Sequence, residues 1–338
     1  MNPAILVPGG AGYIGSAACH ALAAAGFIPV VVDNLSTGHE WAVRWGPFER
    51  VDITDRDALV AVMRRHDVRA VMHFAAHALV AESIRHPDLY FQNNFAGSMV
   101  LLDAMRLCNV DSFVFSSTGA VYGYPNAPSI VEDHPREPIN PYGLSKKLIE
   151  DALPWYGAAY GLKWVALRYF NAAGALSEQQ IGEAHADETH LIPLAVDAAL
   201  GKRDPVSIMG TDYPTPDGTA VRDYVHIVDL ADAHILTLRY LMAGGASDIF
   251  NLGAGRGCSV REVIQTTERL SGKAGISRDA PRRAGDPPFL VADCRKAASA
   301  LGWRPTRSDL DTIVGSALDW HRTYAARNGT AAPAPIEA

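Results

Sequence analysis

A glycine-rich loop between a strand and a helix constrains this chain more than any other feature. Ala4-Ile5-Leu6-Val7 is a short apolar run, as expected of a strand buried on both faces. It runs into Gly9-Gly10-Ala11-Gly12-Tyr13-Ile14-Gly15, and a helix is predicted from Ser16 to about Ala25. Glycines suit a tight turn, a backbone pressed against a pyrophosphate, and close helix–strand contact, while the helix N-terminus offers N–H groups to the anion. A second strand, Ile28 to Val32, ends at Asp33. That acid stands about 20 positions past the glycines, where it can accept from an adenosine ribose 2′-OH. A carboxylate there repels a 2′-phosphate, so the loop predicts NAD rather than NADP.

The alternation continues. Val51-Asp52-Ile53 follows a strand, a helix is expected from Asp57 to Arg65, and Ala70 to Phe74 reads as the next strand. Helix signals run from Asp88 to Leu107, followed by strand Ser112 to Ser116, a helix around Tyr142, and strand Trp164 to Arg168. Repeated βα units predict an α/β fold, a Rossmann-type doubly wound parallel sheet with ligands at the strands' carboxyl ends. Phe74-Ala75-Ala76, Ser116-Ser117-Thr118 and Tyr169-Phe170-Asn171 all fall at such ends. Past residue 172 glycine and proline increase and loops lengthen, which predicts a smaller C-terminal α/β substrate-binding lobe over 173–325. The segment from about 223 to 242 holds a strand and an apolar helix expected to return to the first domain, residues 1–172. Residues 326–338 read as a frayed tail.

Tyr142 and Lys146 stand four apart and share a helix face. An ammonium ~4 Å from a phenol favours the phenolate by up to ~4 kcal/mol at an effective dielectric of ~20, enough to bring proton transfer toward neutral pH. The same spacing also arises by chance in many helices. A net charge of -7 gives no footprint for nucleic acid or an anionic membrane. Cys19, Cys108, Cys258 and Cys294 are scattered without metal or disulfide spacing, the pattern of free thiols in a reducing compartment. With no leader pattern and no apolar run of membrane-spanning length, a cytoplasmic protein is expected. His73 and His77 straddle a strand end and a loop rather than a helix, so no metal site is expected. Asn34-Leu35-Ser36 matches a glycosylation acceptor but has no meaning in that compartment.

Taken together, the Gly9–Gly15 loop, Thr118 and the Tyr142/Lys146 pair resemble the extended short-chain dehydrogenase/reductase family. More narrowly, the chain is similar to the UDP-glucose 4-epimerases from Ile5 to about Trp320. The most specific stretches are Phe115-Ser-Ser-Thr-Gly-Ala-Val-Tyr-Gly123, Arg168-Tyr169-Phe170-Asn171, Asp212 to His226 and Pro281-Arg-Arg-Ala-Gly-Asp286. The resemblance implies reversible C4 epimerisation of a UDP-hexose. Tyr142 takes the 4-OH proton, hydride passes to tightly held NAD, the 4-keto sugar turns over, and hydride and proton return. Thr118 would share the 4-OH hydrogen bond, and Lys146 would hold the nicotinamide ribose. Implied cofactor contacts are Gly9, Gly12, Tyr13, Ile14, Gly15, Asp33, Asn34, Asp52, Ile53, Phe74, Ala75, Ala76, Asn93, Lys146 and Tyr169.

For the substrate, Arg222 and Arg283 are the expected phosphate clamps, since guanidinium engages phosphate oxygens as a fork; the alternative for each is a salt bridge. The resemblance adds Asn171 to the pyrophosphate, His190, Leu191, Ser207 and Met209 to loops bracketing phosphate and uracil, and Asp286 to the uridine ribose. The alternatives are a loop or capping hydroxyl for Thr118 and a helix cap for Asp52. Asn93 and Asn94 lie mid-helix, where asparagine is disfavoured, so a buried amide or a cofactor contact accounts for them better than propensity. A homodimer through the helices near 90–107 and 143–160 is implied, and the apolar Met99–Met105 face is core or dimer contact.

Departures from the family pattern are Pro8 for threonine, Ala78 for lysine, Met209 for an aromatic, His190 for asparagine, and Leu290 where a large aromatic excludes N-acetyl sugars. Leucine there leaves N-acetylhexosamine nucleotides open as substrates, and a 4-epimerase preferring a UDP-pentose is a separate alternative. A 4,6-dehydratase would need acids after Thr118, where Gly119 and Ala120 stand. A non-catalytic NAD-binding module would have no use for Thr118, Tyr142 and Lys146 together.

Overall fold

The computed structural model describes residues 2–125, 127–283 and 286–328. Six strands alternate with helices over the first half: β1 (Ala4–Pro8), β2 (Ile28–Val32), β3 (Phe48–Glu49), β4 (Val68–His73), β5 (Ser112–Thr118) and β6 (Lys163–Tyr169). The second half adds β7 (Asn171–Ala173), β8 (Val206–Met209), β9 (Val221–His226), β10 (Asp248–Leu252), β11 (Gly257–Ser259), β12 (Ser277–Ala280) and β13 (Phe289–Leu290). A seven-stranded sheet has the order β10-β6-β5-β4-β1-β2-β3, with every pairing parallel. From β1 the chain winds outward to β3, then restarts at β4 on the other side. The β1/β4 boundary is therefore the switch point, and the crevice at the carboxyl ends there is where such sheets take ligands.

Strand periodicity sorts the core onto two faces. Ile5, Val7, Ala70 and Met72 join Leu22, Leu230, Leu238 and Trp303 on one side. Leu6, Val71, Phe113 and Phe115 join Leu59, Leu102, Met105 and Ile149 on the other. Alternate residues of one strand thus feed opposite layers, and near-continuous apolar strands follow from burial on both faces.

The Pro141–Tyr160 helix is sharply delimited. Asn140 accepts from the Gly143 N–H at 2.8 Å as its N-cap, Pro141 fills the first turn, and Gly161 ends the helix with φ +74°. Three elements differ from expectation. The first helix begins at Tyr13, directly after Gly12, rather than at Ser16. The expected Asp88–Leu107 helix is π-helical over Tyr90–Ala96 before it becomes α-helical from Gly97 to Leu107. Asn94 lies in that wider turn, accepting from the His77 N–H and donating to the His77 carbonyl, both at 2.9 Å. Of the segment expected to return to the first sheet, the Ile227–Met242 helix does pack there. Strand β9 instead pairs with β7, β11 and β13 in a second sheet.

The seventh strand, β10, had no sequence signal, being five residues of mixed polarity held by pairing with β6. Helices Leu191–Ala199, Val260–Ser271 and Leu310–Asn328 cover the second sheet and the β8–β12 ribbon. The expected tail overlaps this last helix at 326–328; its remainder lies outside the described residues. Among the described residues, no helix is long and apolar enough to cross a membrane.

A buried ion pair fastens the sheet to the Pro141–Tyr160 helix. Arg168, 1 % exposed, donates to Glu150 through Nη2 at 2.6 Å and Nε at 2.9 Å, and through Nη1 to Tyr122 Oη at 2.7 Å and the Glu132 carbonyl at 3.0 Å. Glu150 also accepts from Ser117 Oγ at 2.5 Å and Arg136 at 3.1 Å. Removing one partner of such a pair strands the other charge in the interior. Glu150→Leu is expected to lower the free energy of unfolding by about 3–5 kcal/mol, read as a shift of the urea midpoint by circular dichroism.

Candidate active site

One cavity of about 620 Å³ runs from the glycine loop along the carboxyl ends of the main sheet to the second sheet. Every predicted site residue except Asp52 lines it. At its first end Gly9 has φ +82°, and a Cβ there would lie 2.4 Å from the Ala75 nitrogen. A Cβ on Gly15 would lie 2.1 Å from the Gly9 carbonyl oxygen. Only bare backbone fits, which leaves a cradle of the shape a pyrophosphate requires. Pro8 does not disrupt this turn. Its carbonyl accepts from the N–H groups of Phe74 at 2.8 Å and Ala75 at 2.9 Å, and the Gly9 N–H donates to Val32 at 2.8 Å.

Asp33 is buried at the tip of β2, where its carboxylate accepts from the Ala11 N–H at 3.1 Å and the Leu35 N–H at 2.8 Å. Burial raises its pKa against those hydrogen bonds. Asn34 donates to Asp52 at 2.7 Å, and Asp52 also accepts from Thr54 N and Oγ1 at 2.8 and 2.6 Å. These bonds outweigh burial and keep the Asp52 carboxyl below its usual range. Asp52 therefore buttresses Asn34 and its own turn, close to its alternative account as a cap, while Ile53 reaches the cavity.

At the centre, strand alternation divides three consecutive hydroxyls. Ser116 and Thr118 line the cavity, whereas Ser117 points to Glu150 beneath. Lys146 Nζ, 3 % exposed as a residue, donates to the Ser116 carbonyl at 2.8 Å and lies 4.9 Å from the Phe115 ring. Burial lowers its pKa to about 7, opposed by nearby Glu150. Burial raises the Tyr142 phenol, and a hydrogen bond with Thr118 partly offsets this. The expected acidification of Tyr142 by Lys146 is thus not what the protein alone provides: the ammonium turns to Ser116, and the phenol stands above its ordinary value. Tyr90 meets Tyr142 edge-on at 6.2 Å, and Tyr169 Oη hydrogen-bonds Ser116 Oγ. Asn93 reaches the cavity and donates to Asn94 at 3.0 Å, so Asn94 is the buried amide of the pair. His73 is buried against Ser98 Oγ at 2.9 Å, and burial lowers it to about 3, so it is neutral.

At the far end Arg283 donates to Asp286 at 3.0 and 3.1 Å, and Arg222 Nη2 lies 3.8 Å from the same carboxylate. Arg222 also donates to the Val221 and Pro287 carbonyls, each at 2.9 Å. Both arginines line the cavity, and both face the Asp286 carboxylate. Asn171 donates one of its two N–H groups to the Asp223 carbonyl at 2.8 Å. Asp223, fully buried, accepts from the N–H groups of Ala254, Gly255 and Ala292. Burial raises it to about 6 despite those bonds. Ser207 and Met209 come from β8, Leu290 from β13, and Leu191 opens the helix that His190 precedes.

Sequence reasoning missed three neighbours of His190. Glu183, His185 and Glu188 converge with it on one wall, within a single irregular loop. Burial alone would lower both imidazoles, but hydrogen bonds to the two carboxylates dominate and raise His185 to about 9 and His190 to about 10. Five acid and imidazole residues within the eight positions 183–190, Asp187 among them, were the available signal.

Residues 5–253 match the NAD dependent epimerase/dehydratase family. A UDP-glucose 4-epimerase of Rhizobium meliloti is 51% identical over 95% of this chain and 98% of its own. The crystal structure of the Brucella ovis UDP-glucose 4-epimerase in complex with NAD superposes with a TM-score of 0.92 at 49% identity, covering 94% of this chain and 97% of that one. The UDP-Glc/GlcNAc 4-epimerase of Campylobacter jejuni gives a TM-score of 0.85 at 39% identity over 95% of this chain and 100% of its own. The chain therefore belongs to the NAD dependent epimerase/dehydratase family, among its UDP-glucose 4-epimerases.

Proposed function

We propose that the protein interconverts UDP-galactose and UDP-glucose by epimerisation at C4, with NAD as its resident cofactor. The observation that carries this reading is the single cavity, which joins the glycine cradle and Asp33 to the Thr118–Tyr142–Lys146 centre and to Arg222 and Arg283. The cradle, closed to any Cβ at Gly9 and Gly15, fits the cofactor's pyrophosphate, and Asp33 fits its adenosine ribose. When bound, NAD supplies a reversible hydride acceptor at C4 of the sugar. Ile14, Phe74, Ala75, Ala76 and Tyr169 complete its walls, and Lys146 reaches its nicotinamide ribose.

The chain's own groups handle protons and orientation. Tyr142 Oη takes the proton from the sugar 4-OH and returns it, with Thr118 Oγ1 sharing the hydrogen bond that aims it. Arg222 and Arg283 hold the diphosphate and Asp286 the uridine ribose, so the nucleotide stays fixed while the 4-keto sugar turns over. His190, Leu191, Ser207 and Met209 bracket uracil and phosphate, and Asn171 contacts the pyrophosphate. Fixing one end and freeing the other lets one tyrosine serve both faces.

The reading extends to assembly and place. Leu107, Leu144, Trp155 and Tyr160 expose apolar surface on the two helices expected to pair, Trp155 at 76 %, which supports a homodimer through that face. Four free cysteines suit a reducing cytoplasm. The cofactor domain is assigned to 1–172 with the 227–242 helix, and the UDP-sugar lobe to the remainder up to 325.

Purified protein given UDP-galactose without added nucleotide is expected to form UDP-glucose with no net rise in absorbance from reduced cofactor; net NADH formation, or no conversion by nucleotide-loaded protein, refutes the reading. Tyr142→Phe is expected to lower kcat by roughly 10²–10⁴-fold while UDP still binds. Asp33→Asn keeps one acceptor oxygen and removes the charge. It is expected to shift preference toward NADP by about tenfold, ~1.4 kcal/mol, in competitive reconstitution. Leu290 occupies the position next to the sugar C2 group, and Leu290→Tyr is expected to reduce turnover of UDP-N-acetylglucosamine more than that of UDP-glucose.

A further inference from the structure

The loop before the Leu191–Ala199 helix gathers two carboxylates and two imidazoles whose contacts are more numerous than their protons. His190 Nδ1 lies 2.7 Å from Glu183 Oε1 and 3.0 Å from Glu188 Oε1. His185 Nδ1 lies 3.3 Å from Glu183 Oε1 and 3.3 Å from Glu188 Oε2. Each imidazole thus aims one nitrogen at two carboxylates, yet that nitrogen carries at most one hydrogen. Among the described residues neither carboxylate has a lysine or arginine partner, although Glu183 is only 6 % exposed.

The spacing has a second meaning. Four ligands at about 2.0–2.1 Å from a tetrahedral zinc ion lie about 3.3–3.4 Å from one another. The imidazole–carboxylate contacts run from 2.7 to 3.3 Å, and one ligand atom from each of the four residues lies within 4.8 Å of all the others, a cluster small enough to close on such an ion. The backbone is already anchored on two sides. The Glu183 carbonyl accepts from Trp320 Nε1 at 2.8 Å, and the Ala184 carbonyl lies 2.7 Å from His39 Nε2. Ligand atoms on an anchored loop need little reorganisation to accept a cation.

We propose that Glu183, His185, Glu188 and His190 form a four-ligand site for a divalent transition cation of the zinc class. Two neutral imidazoles and two carboxylates leave the assembly uncharged with the ion in place. The mixed nitrogen and oxygen set favours zinc over magnesium or calcium, which take six or more oxygen ligands. With all four positions filled the ion has a structural role: it fastens the wall carrying His190 and Leu191 between the loop after β2 and the last helix. Binding displaces the protons that hold the cluster together without metal.

The full-length protein, as purified with its nucleotide, is dialysed against a chelator and titrated with Co²⁺. The expected result is one Co²⁺ per chain with the intense visible bands of a tetrahedral site, lost when Zn²⁺ is added, and a Zn²⁺-dependent rise in Tm. Thiolate charge-transfer bands should be absent, which excludes the cysteines. His185→Ala/Glu188→Gln should lose both the bands and the Tm rise; if that variant does not fold, His185→Gln is read in the same way. Wild-type protein without tetrahedral bands overturns the proposal, as does Co²⁺ binding that survives in the variant.

Discussion

Glu150 and Arg168 carry opposite charges where water is excluded, and the placement of the reaction centre depends on their pairing. Coulomb attraction alone seldom repays the desolvation of two ions; it does so when the remaining hydrogen-bond capacity is filled. Here Ser117, Arg136, Tyr122 and the Glu132 carbonyl fill it, and Tyr122 passes the chain on to Asn251 at 2.7 Å. One network therefore spans β5, β6, β10 and the Pro141–Tyr160 helix. Because Glu150 is one turn beyond Lys146, fixing the first sets the second opposite the Ser116 carbonyl. The alternation that sends Ser117 down to this network is what turns Ser116 and Thr118 up into the cavity.

The same enclosure acts in opposite senses on the two groups read from the sequence as a proton-transfer pair. Burial favours the neutral form of each, so it pulls Lys146 down to about 7 and pushes Tyr142 up. A separation taken from helix geometry predicted the sign of their mutual attraction but not where the lysine would point. That is set by a strand carbonyl thirty residues away. The pair is thus incomplete as an acid–base device in the protein alone. The Thr118 hydroxyl acts on the phenol in the opposite sense to burial, lowering the Tyr142 pKa through its hydrogen bond.

Local chemistry was legible in the sequence wherever one short segment determines it. The Gly9–Gly15 loop, Asp33 and the apolar strands each carry their own physical reason, and together they implied the parallel sheet and its crevice. What was not legible depends on partners distant in sequence. Strand β10 exists through pairing with β6, and the π-helical turn through the grip of Asn94 on His77. Asp52 likewise depends on its partners: Asn34 and Thr54 donate three hydrogen bonds to its carboxylate. Glu183 and Glu188 escaped because sequence spacing in an irregular loop does not tell which side chains converge.

Strand pairing, rather than any one side chain, assembles the far end of the cavity. Leu290 on β13 pairs in parallel register with Arg222 on β9, and the two extend from neighbouring strands into one cavity. Asp223, next along β9, ties the Ala292 N–H to the turn at Ala254 and Gly255 from a fully buried position. Asp286 links Arg222 to Arg283 a few residues before Leu290. Leu290 and the two cavity-lining arginines therefore share one rigid support. A bulky side chain at 290 that moved β13 would move Arg222 with it. A new side chain at 290 has to fit the space already bounded by the Val121, Tyr122 and Ile130 cluster, against which both Leu290 and Phe170 pack.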